Sequence, residues 1–415
     1  MFLEASCMKN IFRKLHLWLS VPFGLVIVVT CFTGAMLVFE KEITALCSSD
    51  MATVEPVGEP LPIDVVAEKV TATMPSGTEI SGVTVTEEKE EAWIVNISEP
   101  RRATLYVNQY TGEVLGEKER LPFFQTVLRL HRWLLDTRPA DGGLYWGKTV
   151  VGASTIAFVV ILLSGLILWW PRNRKMLKNR LQVALKKGKN RFWYDLHVAG
   201  GFYALLFLLA MALTGLTWSF EWYRNGFYSV FGANDSPVAK TMTVENSPVV
   251  KFSSTKAADS AKSHAATDAV TTATASSWNS DGVTGATVTS SGRNESLYTA
   301  WNRAFDAVAD KYPSYSQITV SAGETSVRLA GCGNQRASDK YMFDERSGEL
   351  LSASLYENNS SQSKLRGWIY SIHVGSWGGT ATRVLAFLAA LLGATLPLTG
   401  YYFWIRKLYY KKKNN

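Results

Sequence analysis

Leu15–Glu40 reads LHLWLSVPFGLVIVVTCFTGAMLVFE, and Leu196–Glu221 reads LHVAGGFYALLFLLAMALTGLTWSFE. At a constant offset of 181 residues the Leu-His, Thr-Gly and Phe-Glu pairs coincide, so His16 matches His197. A second match lies before two further apolar runs. LRLHRWLL (128–135) carries His131 and YSIHVGSW (370–377) carries His373. Downstream of these, Ser164-Gly165 and Trp169 answer Thr399-Gly400 and Trp404. Four of the five histidines therefore occupy corresponding places in an internal duplication, each beside an apolar stretch.

Four runs are long enough for a bilayer core, which takes about 20 residues. They are Leu17–Phe39, Thr149–Trp170, Val198–Phe220 and Val384–Ile405, and none contains Asp, Glu, Lys or Arg. The first has no small-residue cleavage pattern after it and reads as a retained helix. The net charge of +8 over 415 residues is unevenly spread. Basic residues crowd the start (Lys9, Arg13, Lys14), the stretch from Arg172 to Arg191, and the tail from Arg406 to Lys413. Such crowding beside membrane helices is a topology signal and places both termini and the central connector in the cytoplasm. No aromatic-interleaved basic patch suggests nucleic acid.

The expected fold class is membrane α-helical: four transmembrane helices in a duplicated two-helix repeat, with two small extracytoplasmic α+β modules. The expected order is a cytoplasmic start and first helix (1–40), a first outer module (41–122), and a His-bearing amphipathic segment with the second helix (123–171). A basic connector (172–194), a third helix (195–221), and a second outer module (222–365) with an insertion at 233–293 follow. A His-bearing segment, fourth helix and basic tail (366–415) close the chain. In the outer segments IDVVAEKVTATM and TAWNRAFDAVADKY have helical periodicity. GVTVTEE, AWIVNIS, ATLYVNQ, ITVSAG and SVRLAG alternate as strands. Residues 253–280, rich in Ala, Ser and Thr, read as a linker in which His264 is an exposed bystander. Four cysteines make no disulfide framework, and a Cys47–Cys332 pairing is left open.

Metal-ligating residues at membrane depth are costly to bury and usually functional. Topology puts His16 and His197 near the cytoplasmic face, and His131 and His373 near the outer face. Each pair is read as the axial ligands of one haem iron, giving two haems in series across the membrane. Bis-histidine ligation leaves no open iron position and suits electron transfer. With no CxxCH present, the expected type is haem b.

The insertion ends in Asp281-x-x-Thr284-Gly285-Ala286-Thr287-x-Thr289. This stretch resembles the DxxSGATxT signature of the flavin-binding domains of the Rnf and Nqr complexes. That resemblance implies FMN joined through its phosphate to the Thr289 hydroxyl by a flavin transferase. The chain as a whole resembles the PepSY-associated transmembrane proteins. The carriers are LHLWLSVPFG, LRLHRWLL, DLHVAGGFYALLFLLAMALTGL and SIHVGSWGG…LPLTGYYFWIRK, with modules ending in YTGEVLG and RSGELLS. The family includes bacterial inner-membrane ferric-siderophore reductases with two haems. The resemblance thus implies a multi-pass inner-membrane oxidoreductase with periplasmic domains, passing electrons to ferric iron or a ferric siderophore. No GxGxxG follows a strand, so the donor is expected to be a separate cytoplasmic reductase, reduced flavin or membrane quinol. The principal alternative is a non-enzymatic PepSY sensor or peptidase inhibitor. A transporter is disfavoured, because the repeats are parallel and the helices lack buried charge.

Overall fold

The structure is a computed structural model that describes residues 2–99, 102–233 and 297–413. Apart from Ala233, the insertion expected at 233–293 lies outside the described residues. So do His264, Asp281, Thr284, Gly285, Ala286, Thr287 and Thr289.

The first apolar run forms α1 (Phe2–Val38), which leads into α2 (Glu40–Cys47) and α3 (Ser49–Ala52). Then come α4 (Ile63–Thr73) and strands β1 (Glu79–Thr86), β2 (Trp93–Glu99), β3 (Ala103–Val107) and β4 (Val114–Glu117). The membrane-side segment holds α5 (Pro122–Trp133), α6 (Trp146–Trp169), α7 (Arg174–Arg180) and α8 (Lys189–Asp195). A single π turn, Leu196–Gly200, joins α8 to α9 (Gly201–Ser219), and α10 (Glu221–Val230) follows. The last part comprises α11 (Leu297–Ala309), β5 (Gln317–Ser321), β6 (Glu324–Arg328), β7 (Ser338–Phe343), β8 (Leu350–Ser354), α12 (Ser361–His373) and α13 (Gly379–Lys413).

Four helical stretches are long and apolar enough to cross a membrane: Met8–Val38, Trp146–Trp169, Lys189–Ser219 and Gly379–Tyr410. Each contains its expected run almost entirely and extends past it, because flanking polar residues still favour helix once the apolar turns have nucleated it. They close a four-helix bundle in which α1 touches α6 and α13, and α9 touches the same two. Ile27, Phe158, Ile161, Leu162, Ala204, Leu208, Ala212 and Ala389 form its centre.

All eight strands join one antiparallel sheet, ordered β4-β3-β2-β1-β5-β6-β7-β8. The two polar segments are therefore not separate sheets. β1 pairs with β5 from Gly82↔Ser321 to Thr86↔Gln317, and Thr84 and Thr319 share a 2.9 Å hydroxyl contact across that seam. Both segments also feed one core: Val66, Val70, Val83 and Val95 pack in the same cluster as Trp301, Val308, Ile318 and Val327. The backbone N–H at the start of α4, on Ile63, donates to Asn302 Oδ1 of α11 at 3.0 Å. That bond satisfies one of the orphan donors of a helix N-terminus from the other segment. A sheet with one face under two helices explains the alternating burial of β5 to β7.

Among the helices that the sequence reading did not expect are α2 and α10, which both begin at the Glu of a Phe-Glu pair, Phe39-Glu40 and Phe220-Glu221. α10 falls within the segment assigned by sequence to the second outer module, yet it returns onto α9, where Tyr223 Oη donates to Leu213 O at 3.0 Å. Cys47 and Cys332 are each free.

Candidate functional site

All four matched histidines follow one local plan. Each ring faces a neighbouring helix at a hydroxyl-glycine pair, and Nδ1 is the atom that engages it. His16 Nδ1 lies 3.1 Å from Ile161 O and 3.0 Å from Ser164 Oγ. His131 Nδ1 lies 2.9 Å from Thr30 O and 3.3 Å from Thr33 Oγ1. His373 Nδ1 lies 2.9 Å from Met211 O and 3.2 Å from Thr214 Oγ1. His197 Nδ1 lies 2.8 Å from Thr399 Oγ1.

The hydroxyls assign the tautomer. Each gives its single hydrogen to its own helix: Ser164 to Ile161 O at 2.9 Å, Thr33 to Val29 O at 2.7 Å, Thr214 to Ala210 O at 2.6 Å, and Thr399 to Leu396 O at 2.8 Å. With the hydrogen given that way the oxygen accepts from Nδ1, and on the rings of His16, His131 and His373 Nδ1 also faces a backbone carbonyl, which can only accept. Nε2 is left bare on all four rings, the form in which imidazole binds a metal.

At three of the four sites, Gly34, Gly165 and Gly215, the glycine after the hydroxyl lies against the ring, whereas Gly400 after Thr399 faces open space. A Cβ on Gly34 would lie 3.0 Å from His131 Cε1, and one on Gly215 would lie 3.0 Å from His373 Cε1.

The rings meet in the expected pairs. His16 and His197 have centroids 6.4 Å apart, and His131 and His373 have centroids 6.2 Å apart. Two imidazoles trans on one metal, each bond about 2.0 Å long and each nitrogen roughly 1.1 Å from its ring centre, place the centres about 6 Å apart. The pairs occupy two levels of the bundle. On α1, His16 and Thr33 mark those levels and are separated by about 25 Å of helix at 1.5 Å per residue. His197 lies in the π turn, a single widened turn of a kind frequent at functional sites.

The family model for the PepSY-associated TM region matches residues 13–407, from just before His16 to just past Thr399. The chain belongs to the PepSY-associated TM family. It is a multi-pass membrane protein of that family. No curated protein matches the chain.

Each histidine pair of this PepSY-associated chain opens onto a cavity. The one on the side of the 172–194 connector has a volume of about 360 Å³ and is lined by His16, His197, Gly165, Phe202, Trp169 and Arg180 among others. The one on the side of the sheet has about 470 Å³ and is lined by His131, His373, Gly34, Gly215, Arg132 and Arg336 among others. Ile27 and Phe158 line both, so two buried side chains form the wall between them.

These cavities fit a flat, largely apolar group with polar appendages. Trp169 Nε1 on the connector side, and Thr30 Oγ1 and Ser154 Oγ on the sheet side, are buried without a hydrogen-bond partner. Among the described residues no cluster of three or more His, Cys, Asp or Glu side chains stands ready for a bare ion. Two facing imidazoles would supply two ligands, and a macrocycle would have to supply the rest.

Sequence reasoning placed the four histidines but missed their acceptors. The Thr-Gly and Ser-Gly coincidences were the available signal, since a hydroxyl followed by a residue without Cβ is what a ring needs to dock on a helix. The motif from Asp281 to Thr289 lies outside the described residues, so its relation to the sheet-side cavity is not part of the geometry.

Proposed function

We propose that this protein is a transmembrane oxidoreductase that moves electrons through two b-type haems from the connector side of the membrane to an acceptor beyond the sheet side. The basic connector and termini support a cytoplasmic connector side and, in a bacterial inner membrane, a periplasmic sheet. The carrying observation is the pair of imidazole couples at metal-ligand spacing, with bare Nε2 atoms, at two levels of one bundle. His16 and His197 would hold one haem, and His131 and His373 the other. Bound there, haem supplies reversible one-electron iron chemistry.

The chain itself orients and insulates. Ser164, Thr399, Thr33 and Thr214 fix the ring planes through Nδ1, and the apolar bundle keeps bulk water from the rings. Ile27 and Phe158 line both cavities and stand between them. The duplication at an offset of 181 residues supports two equivalent ligand sets.

The motif ending in Thr289 supports FMN joined through its phosphate to that hydroxyl, loaded by a flavin transferase, as a further carrier on the outer side. Ferric iron or a ferric siderophore is the proposed acceptor class. A separate reductase, reduced flavin or quinol is the proposed donor.

A spectrum of the detergent-purified protein, oxidised and dithionite-reduced, tests the reading. Two low-spin haems per chain that reoxidise on addition of a ferric chelate are expected. A colourless protein that takes up no added haem would overturn it and favour the sensor or inhibitor reading. Flavin fluorescence surviving denaturation, and lost in Thr289→Ala, tests the motif when a transferase is co-expressed.

A further inference from the structure

We propose that Trp169, Arg180 and Tyr194 form a carboxylate-binding site at the connector end of the cavity between His16 and His197, built for the acid side chains of the porphyrin held there. The inference rests on the haem reading above and adds residues that the histidine pattern does not contain.

Trp169 ends α6 with 9% of its surface exposed, and its Nε1 hydrogen has no partner among the described residues. Indole is a donor only, so a buried one without an acceptor is costly and calls for one. Its plane is fixed, stacked on Phe202 at a centroid distance of 3.8 Å and an angle of 8°. Both rings line the cavity.

Arg180, one short helix further on, folds back over the end of α6. Its first terminal nitrogen (Nη1) donates to Leu168 O at 3.0 Å and to Trp169 O. That leaves the Nε and Nη2 hydrogens of the same guanidinium for another acceptor, and Arg180 also lines the cavity. Tyr194, on α8, completes the polar end.

Two other hydroxyls of this cavity are already engaged. Ser20 Oγ donates to His16 O at 2.5 Å, and Tyr401 Oη donates to Val21 O at 2.7 Å. No Asp or Glu is among the lining residues. A pocket end made of two donor-only groups, one cationic, with no acid to satisfy them, selects an anion. Trp169 stands one turn beyond Gly165, against which His16 packs, so the site lies roughly 6 Å further along the helix towards the connector. A porphyrin ligated by His16 carries its carboxylates at its edge, which makes them the acceptors within reach.

The test uses the haem-loaded full chain and measures transfer of haem to apomyoglobin for the wild type and Trp169→Phe. Phenylalanine keeps the stack on Phe202 and removes only the donor. The connector-side haem should leave on the order of tenfold faster in the variant, the equivalent of one lost charge-assisted bond, with the sheet-side haem unchanged. Reconstituted with haem dimethyl ester, which lacks the carboxylates, wild type and variant should release alike. Equal release of native haem from both proteins, or the same difference with the ester, overturns the carboxylate site. Wild-type protein that binds no haem at His16 and His197 overturns the haem reading and this site with it. Retention of the sheet-side haem shows that the variant is folded, and Arg180→Gln, expected to act in the same direction, gives an independent second readout.

Discussion

His197 Nδ1 stands 2.8 Å from Thr399 Oγ1, and the hydroxyl hydrogen of Thr399 is already given to Leu396 O at 2.8 Å. With the hydroxyl hydrogen on Leu396 O the imidazole is the donor in that contact, and one threonine holds the tautomer of a ring on another helix. Thr399→Val keeps the shape and removes the acceptor. We expect the connector-side haem to bind about 10-fold to 100-fold more weakly, as is typical when the outer partner of a metal-bound imidazole is lost. Haem titration of the apoprotein measures it, with the sheet-side site as internal control. Equal affinity at the connector-side site would show that Thr399 does not govern its ligand.

Gly147 gives a different kind of test, because it acts through backbone alone. It lies in the first turn of α6, where its N–H donates to Asp136 Oδ2 at 2.8 Å. A Cβ there would come within 1.9 Å of Trp133 O, the last residue of α5, two positions after His131. A backbone atom cannot yield as a side chain can, so Gly147→Ala must push α5 away. We expect haem content to fall from two per chain to one, with the connector-side haem retained. Full occupancy at both sites would mean that α5 tolerates the displacement.

What the sequence made legible, and what it hid, follows from which interactions are local. Apolar runs without charge define membrane helices by themselves, and the repeated Leu-His and Thr-Gly pairs mark where histidine rings meet a neighbouring helix. The pairing of His131 with His373 followed from topology alone, although the two are separated by 242 positions in the chain. The union of β1 with β5 was not legible: edge strands of either segment alternate in the same way whether they face solvent or a partner. The role of Trp169 was hidden for a similar reason, since a tryptophan at a helix end reads as an interfacial anchor. Its missing acceptor together with its place in the cavity lining distinguishes it.

The shared sheet makes Trp301 a test of whether the two outer segments fold together. Its side chain is fully buried in the common core, on α11, which packs against α4 of the other segment and against β5 and β6. Trp301→Ala should cost about 3–5 kcal/mol, the usual range for truncating a buried aromatic. Because the core is continuous across β1 and β5, protection from hydrogen exchange should fall in β1 and β2 as well as in β5 and β6. A loss confined to residues after 297 would mean that the segments are independently stable.

The four histidines make the sharpest prediction, because they should fail in pairs. On the two-haem proposal, His16→Ala and His197→Ala each take one imidazole from the same site and should each abolish the same haem band. His131→Ala and His373→Ala should each abolish the other. The double variant His16→Ala/His197→Ala should look like either single one, since one missing ligand already empties a two-ligand site. The double variant His16→Ala/His131→Ala should contain no haem. Reduced-minus-oxidised spectra with a haem count per chain separate these outcomes. Loss of the same band in His16→Ala and His131→Ala would contradict the pairing, whose ring centres are 6.4 and 6.2 Å apart within the two pairs. Equal haem content in all four single variants and the wild type would remove the histidines from the site altogether.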